Sequence, residues 1–126
     1  RCICKKCGED YNPDAAVLEE LQVSKSDLEG ARFRRGRGCE ACRHTGYKGR
    51  VAIYEILHFT NPVKDMTVRR CPSTEIKRYA MQHGMRTLRQ SGWLRVREGQ
   101  TSIEEIMRVT ADTDMVDALE TGDASV

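Results

Sequence analysis

Aromatic side chains are scarce: the 126 residues hold two phenylalanines, one tryptophan and four tyrosines. So few rings cannot build the row of stacking platforms that grips single-stranded nucleic acid. They also leave the chain a modest core. No apolar run approaches the roughly 18 residues that a membrane-spanning helix needs. No G-x-x-x-x-G-K-S/T pattern occurs, so these residues lack that phosphate-cradling loop. Gly46-Tyr47-Lys48-Gly49-Arg50 has glycines and cations, but at the wrong spacing and ahead of an apparent strand rather than a helix. The chain is therefore not expected to bind ATP or to act as an enzyme alone. It shows no signal-peptide pattern, internal repeat or low-complexity segment. It begins at Arg1 rather than Met and reads as a piece of something longer.

Cysteine is what the chain does have, with six in all. Four of them form two C-x-x-C pairs, Cys4/Cys7 and Cys39/Cys42. Two intervening residues let one tight turn aim both thiolates at a single ion, and four thiolates make a closed tetrahedral site for Zn²⁺ or, less often, iron. A closed site leaves no position for substrate, so the expected metal is structural. Without an export signal, such pairs point to metal in a reducing cytoplasm rather than to disulfides. The 31 residues between the pairs exceed the usual ribbon spacing and must fold out as an insertion. Lengthening such a loop from about 18 to 31 residues costs about 0.5 kcal/mol. Structural zinc contributes roughly 10–16 kcal/mol of apparent binding free energy, so length is no obstacle. Cys2 is an alternative ligand to Cys4 with a poorer bite. Cys71, before Pro72, reads as a packed thiol. His44, His58 and His83 lack ligand spacing, and His44 is a distant fifth candidate.

The overall charge of +2 hides an asymmetry. Residues 111–126 hold five acids and no base, which leaves +7 on residues 1–110. Lys5, Lys6, Arg37 and Arg43 flank the thiolates and can offset the −2 of a four-thiolate zinc site. That local explanation outweighs a nucleic-acid partner.

Asp14, after the Asn12-Pro13 turn, is placed to cap a short helix burying Val17, Leu18 and Leu21. Ala31–Arg35 looks extended. Arg50–Leu57 is the strongest strand pattern, with apolar residues on both faces, so cover is expected on both sides. Glu55 then needs a rim position or a basic partner. Helical patterns follow from Asn61: one opening at Ser73 and stopping at Gly84, one over Arg86–Glu98 with Gly92 allowing close approach, and one opening on the capping box Thr101-Ser102-Ile103-Glu104. The reading is an α+β chain: a zinc-stapled subdomain over 1–57 with a small sheet and strand 50–57, a small helical bundle over 58–110, and an acidic tail over 111–126. Extension of the last helix and disorder both remain open for that tail.

Several of these runs resemble a known family. Cys4-x-x-Cys7, Tyr11-x-Pro13, Gly38-Cys39-x-x-Cys42-x-x-Thr45-Gly46-Tyr47-x-Gly49-Arg50 and Ile53-Tyr54-Glu55-x-Leu57 are similar to the C-terminal region of the motor ATPases of type II secretion and type IV pilus assembly. So are Ala80-x-x-x-Gly84-Met85-x-Thr87-Leu88, Gly92, Gly99-x-Thr101-Ser102-x-Glu104-Glu105 and Arg108-Val109-Thr110. Ala52 and Ser91 depart from the family's commoner Gly and Asp, and Cys2 stands where an ordinary residue is usual. The resemblance implies zinc on Cys4, Cys7, Cys39 and Cys42, with no catalytic residue here. It places ATP and Mg²⁺ in a nucleotide-binding core not present in these residues. It implies a homo-hexamer whose subunits contact one another and an inner-membrane platform protein, in the cytoplasm and peripheral to that membrane. No nucleic-acid partner is expected, and the residues do not separate secretion from pilus extension. Two alternatives stand beside it. Cys4-x-x-Cys7-Gly8 with Tyr11 and Pro13 also resembles rubredoxins, iron electron-transfer proteins, although Glu40 replaces their usual Pro and the chain runs on for more than eighty residues. The basic run Arg32–Arg37 would suit a nucleic-acid-binding zinc ribbon.

Overall fold

The computed structural model describes residues 1–21 and 23–111. The proposed acidic tail lies beyond them, apart from Ala111. Two short strands, β1 (Gly8–Asp10) and β2 (Arg34–Gly36), pair antiparallel with Gly8 opposite Gly36 and Asp10 opposite Arg34. Helices α1 (Ala15–Glu20) and α2 (Lys25–Leu28) fill the excursion between them. One turn of 3-10 helix over Glu40–Cys42 follows, then α3 (Asn61–Val68), α4 (Ser73–Gln82), α5 (Leu88–Arg97) and α6 (Ile103–Val109). The class is α+β.

Local chemistry accounts for most of the boundaries. Asp14 occupies the cap position of α1, but it is its backbone carbonyl, not its side chain, that accepts from Val17 and Leu18. The sequence did not announce α2, which Ser24 caps by accepting from the Asp27 amide. Ser73 is the first residue of α4 rather than its cap, and Pro72 precedes it. Thr87 and Gln90 form a reciprocal capping box on α5. For α6 the cap is Ser102, one residue later than expected, because its hydroxyl accepts from the Glu105 amide. Gly84 and Gly99, with φ of 98° and 76°, take the left-handed conformation that ends α4 and α5.

The buried cluster joins Leu21, Trp93, Val96, Ile103 and Ile106, with Val17, Leu18, Phe33, Ile53 and Met107 packed against it. It therefore draws on residues from both sides of residue 57. Gly92 is what lets α5 meet α6: a Cβ there would lie 2.8 Å from Ile106 Cγ2. Beneath it, Glu105 is 2% exposed between the guanidinium groups of Arg1 (2.8 Å) and Arg108 (2.6 Å).

One expectation needs correcting. Residues 50–57 form no strand; residues 51–60 carry no regular secondary structure. The physical reason is the lack of a neighbour, because among the described residues no second strand lies beside them. Glu55 is exposed, and its carboxylate accepts from the Leu88 amide at the start of α5 (3.1 Å). No helix among the described residues is long and apolar enough to cross a membrane.

Candidate metal centre

The two C-x-x-C turns face each other across a short backbone seam. The Cys4 amide donates to the Gly46 carbonyl (2.9 Å) and the Cys2 amide to the Gly49 carbonyl (2.9 Å), while the Lys48 amide returns to Cys2 (2.9 Å). On the other side, the Arg37 amide donates to the Cys7 carbonyl (3.1 Å), continuing the β1–β2 ladder into the turns. The Ile3 amide reaches the Gln100 carbonyl (3.0 Å), which ties the first turn to the α5–α6 corner.

This approach needs missing side chains. A Cβ on Gly36 would sit 2.1 Å from the Gly46 carbonyl oxygen, and one on Gly38 would sit 3.0 Å from that of His44. Real Cβ atoms do not tolerate the first distance, so the two turns close only because glycine is at position 36. At Gly36 and Gly38 the missing side chains let two backbones touch.

The result gathers Cys4, Cys7, Cys39 and Cys42, whose sulfurs all lie within 4.8 Å of one another. Cys4 Sγ stands 3.8 Å from Cys39 Sγ, Cys7 Sγ 3.8 Å from Cys42 Sγ, and Cys39 Sγ 3.7 Å from Cys42 Sγ. Disulfides would bring the sulfurs to about 2.05 Å. A tetrahedron with metal–sulfur bonds of about 2.3 Å has edges of about 3.8 Å. The donor set thus fits a four-coordinate metal ion.

Backbone amides prepare the sulfurs for negative charge. Gly38 donates to Cys7 Sγ (3.3 Å), and Cys39 and Gly46 donate to Cys42 Sγ (3.2 Å each). Burial pushes the Cys42 thiol up, but the Cys39 and Gly46 amides outweigh it and bring the group down to about 6. The Cys4 thiol is held below its ordinary value, first by the Cys7 amide, with burial opposing. Burial drives Cys7 the other way, to about 11, despite the Gly38 amide. Free of metal, the cluster keeps at least one proton at neutral pH, and an arriving cation must displace it.

The other candidates fall outside the site. Among the described residues, the sulfur group includes neither Cys2 nor Cys71, and none of His44, His58 and His83. His44 is exposed, and its φ of 61° belongs to the turn rather than to a ligand. His83 stacks on Tyr79, with ring centroids 4.1 Å apart. Lys6 and Arg37 border a cleft of about 300 Å³ beside Cys7, where positive charge can offset that of the thiolates. The Arg1–Glu105–Arg108 group was missed. The Glu105/Arg108 spacing of three on a helix is a legible half of it; its pairing with Arg1, more than a hundred residues away, is not.

A sequence model of the family described as type II/IV secretion system protein matches residues 1–108. The type IV pilus assembly ATPase PilB of Thermus thermophilus is 38% identical over 112 residues, covering 89% of this chain and 13% of that protein. The PilB of Myxococcus xanthus is 34% identical over 108 residues, 86% of this chain and 19% of that one. The type II secretion system ATPase E of Vibrio cholerae is 32% identical over 117 residues, with shares of 90% and 22%. The chain therefore spans less than a quarter of the length of these relatives.

Proposed function

The chain belongs to the type II/IV secretion system protein family, and from that premise we propose that it is the zinc-binding, non-catalytic module of a hexameric motor ATPase powering type II secretion or type IV pilus extension. The observation that carries this reading is the set of four sulfurs at the edge lengths of a zinc–thiolate tetrahedron. Cys4, Cys7, Cys39 and Cys42 hold the ion, and the amides of Gly38, Cys39 and Gly46 keep sulfur charge in place. Bound zinc supplies a cross-link between the two ends of the 8–38 excursion and, with four protein ligands, no open coordination position. The work of the surrounding residues is mechanical. They keep the two turns, the β1–β2 pair and the α5–α6 corner in one rigid piece, as a unit that transmits force must be.

ATP and Mg²⁺ belong, in this reading, to the rest of the parent protein. Its neighbouring subunits and an inner-membrane platform protein receive the force, with the module in the cytoplasm at the membrane surface. The test is Cys39→Ser in the full-length parent. Elemental analysis should find one zinc per chain before the change and none after it. Secretion or piliation should be lost while ATP turnover survives at least in part. Undiminished secretion or piliation in the variant overturns the reading, and a red, iron-containing parent overturns the choice of metal.

A further inference from the structure

Residues 51–59 combine properties that do not belong together in a finished fold. The stretch is almost continuously apolar, yet Tyr54, Ile56, Leu57 and Phe59 are 56%, 60%, 45% and 56% exposed. Among the described residues its backbone makes two hydrogen bonds. Tyr54 N–H donates to Ser91 Oγ (3.1 Å), and the His58 carbonyl accepts from Thr60 (2.9 Å). An apolar segment whose polar backbone finds so few partners among the described residues is an edge waiting for a strand.

Side-chain direction agrees. Tyr54, Ile56 and His58 border one open cleft of about 340 Å³ with Gly84 and Arg86, whereas Glu55 and Leu57 border another of about 250 Å³ with Ser73 and Thr74. Odd and even positions thus separate to two sides, which is the period of a strand. Strands that are apolar on both faces belong inside sheets covered on both sides. The two-stranded β1–β2 pair is too small to be that sheet. The relatives are four or more times longer than the stretch this chain matches, so a larger body of chain exists to supply one.

We propose that residues 51–58 are completed as a β-strand by a partner strand from the parent ATPase, outside residues 1–126. The occupant is an apolar strand of the same polypeptide, which makes this segment the seam joining the four-sulfur module to the motor. The proposal rests on the reading above that a larger ATPase surrounds this chain.

Hydrogen exchange on the full-length parent decides it. Amides of residues 51–58 should exchange at least about a hundredfold more slowly than unstructured peptide. That protection should be unchanged when the protein is diluted until its subunits separate. Exchange within about tenfold of unstructured rates overturns the proposal. Protection that appears only in the assembled oligomer also overturns it, because the partner is then a second copy. ATP hydrolysis is measured on the same sample: a protected segment in a parent without ATPase activity keeps the seam and removes the motor.

Discussion

The segments before and after Arg50 are neighbours in sequence and opposites in completeness. Up to Gly49, the chain brings its own partners: four sulfurs converge, amides point at them, and Gly36 and Gly46 touch backbone to backbone. From Tyr54 to Phe59 it presents its apolar side chains to solvent, and among the described residues most backbone groups of 51–59 have no protein partner. The difference lies in where the satisfying groups are encoded. A four-sulfur knot can be closed by residues 35 positions apart, whereas a buried strand requires a sheet, and among the described residues the sheet is a pair of three-residue strands.

Removing the proposed metal is the strongest way to break the contrast. A chelator, under reducing conditions, should make all four thiols reactive to a thiol reagent and unfold the segment from Cys2 to Gly49. If the proposed ion is zinc, the effect should exceed that of any single substitution, since structural zinc sites contribute roughly 10–16 kcal/mol of apparent free energy. In the 126-residue chain, amides of residues 51–59 should be unaffected, because they have little protection to lose there. If they respond as strongly as the β1–β2 pair, the two regions form one cooperative unit.

Gly36→Ala attacks the same region through packing alone. Its Cβ would lie 2.1 Å from the Gly46 oxygen, so the backbone must shift, at a cost of about 3 kcal/mol in the metal-loaded protein. Gly49→Ala is the control, because its φ is 86° with nothing within 4 Å. Conformational strain alone should then cost about 1–2 kcal/mol. Denaturant midpoints that place the two variants together would show that the turns do not depend on close approach.

The Glu105 cluster tests whether α6 shares the rigidity of the knot. Arg108 first, and then Arg1, holds the Glu105 carboxyl well below the usual carboxylate range despite its burial. In the unfolded chain the group titrates near about 4.3. Above that pH both states are ionised and the stabilisation is complete. As pH falls below it, the unfolded state takes up the proton first and the advantage shrinks. Glu105→Gln should therefore cost about 1.5–3 kcal/mol at pH 7, with the gap from the parent closing as pH drops below about 4. Trp93 fluorescence follows it, since that ring shares the buried cluster with Ile106. A gap independent of pH would mean that the ion pairs contribute little.

How much of this was legible follows from the range of each signal. The gathering of Cys4, Cys7, Cys39 and Cys42 could be read because metal chemistry favours both that residue type and that spacing. The starts of α5 and α6 were placed to within two residues because caps act locally, through Thr87 and Ser102. The close approach of Gly36 to Gly46 was not legible, since a glycine does not say which backbone it will meet. The reading of 50–57 as a strand detected a real apolar pattern, but pattern reports what a segment is suited to, and ladder formation depends on a neighbour elsewhere. The shared core of Leu21, Phe33 and Trp93 escaped for the same reason: long-range pairing leaves no mark at either end.

The smallest expected effect bears most directly on the contrast. Ile56 is 60% exposed, so Ile56→Ser in the metal-loaded 126-residue chain should change stability by less than about 0.5 kcal/mol. In the full-length parent a covered isoleucine contributes about 1.5–3 kcal/mol through burial, and the same substitution should cost that much there. Paired denaturation curves of the two proteins, each with and without the change, isolate the term that the rest of the parent adds. A large cost already in the short chain would mean that 51–59 is buried by its own residues, and the contrast disappears. A negligible cost in both would leave Ile56 exposed in the finished protein. Only a cost confined to the parent fits one region closed by its own cysteines and another written for a strand encoded elsewhere.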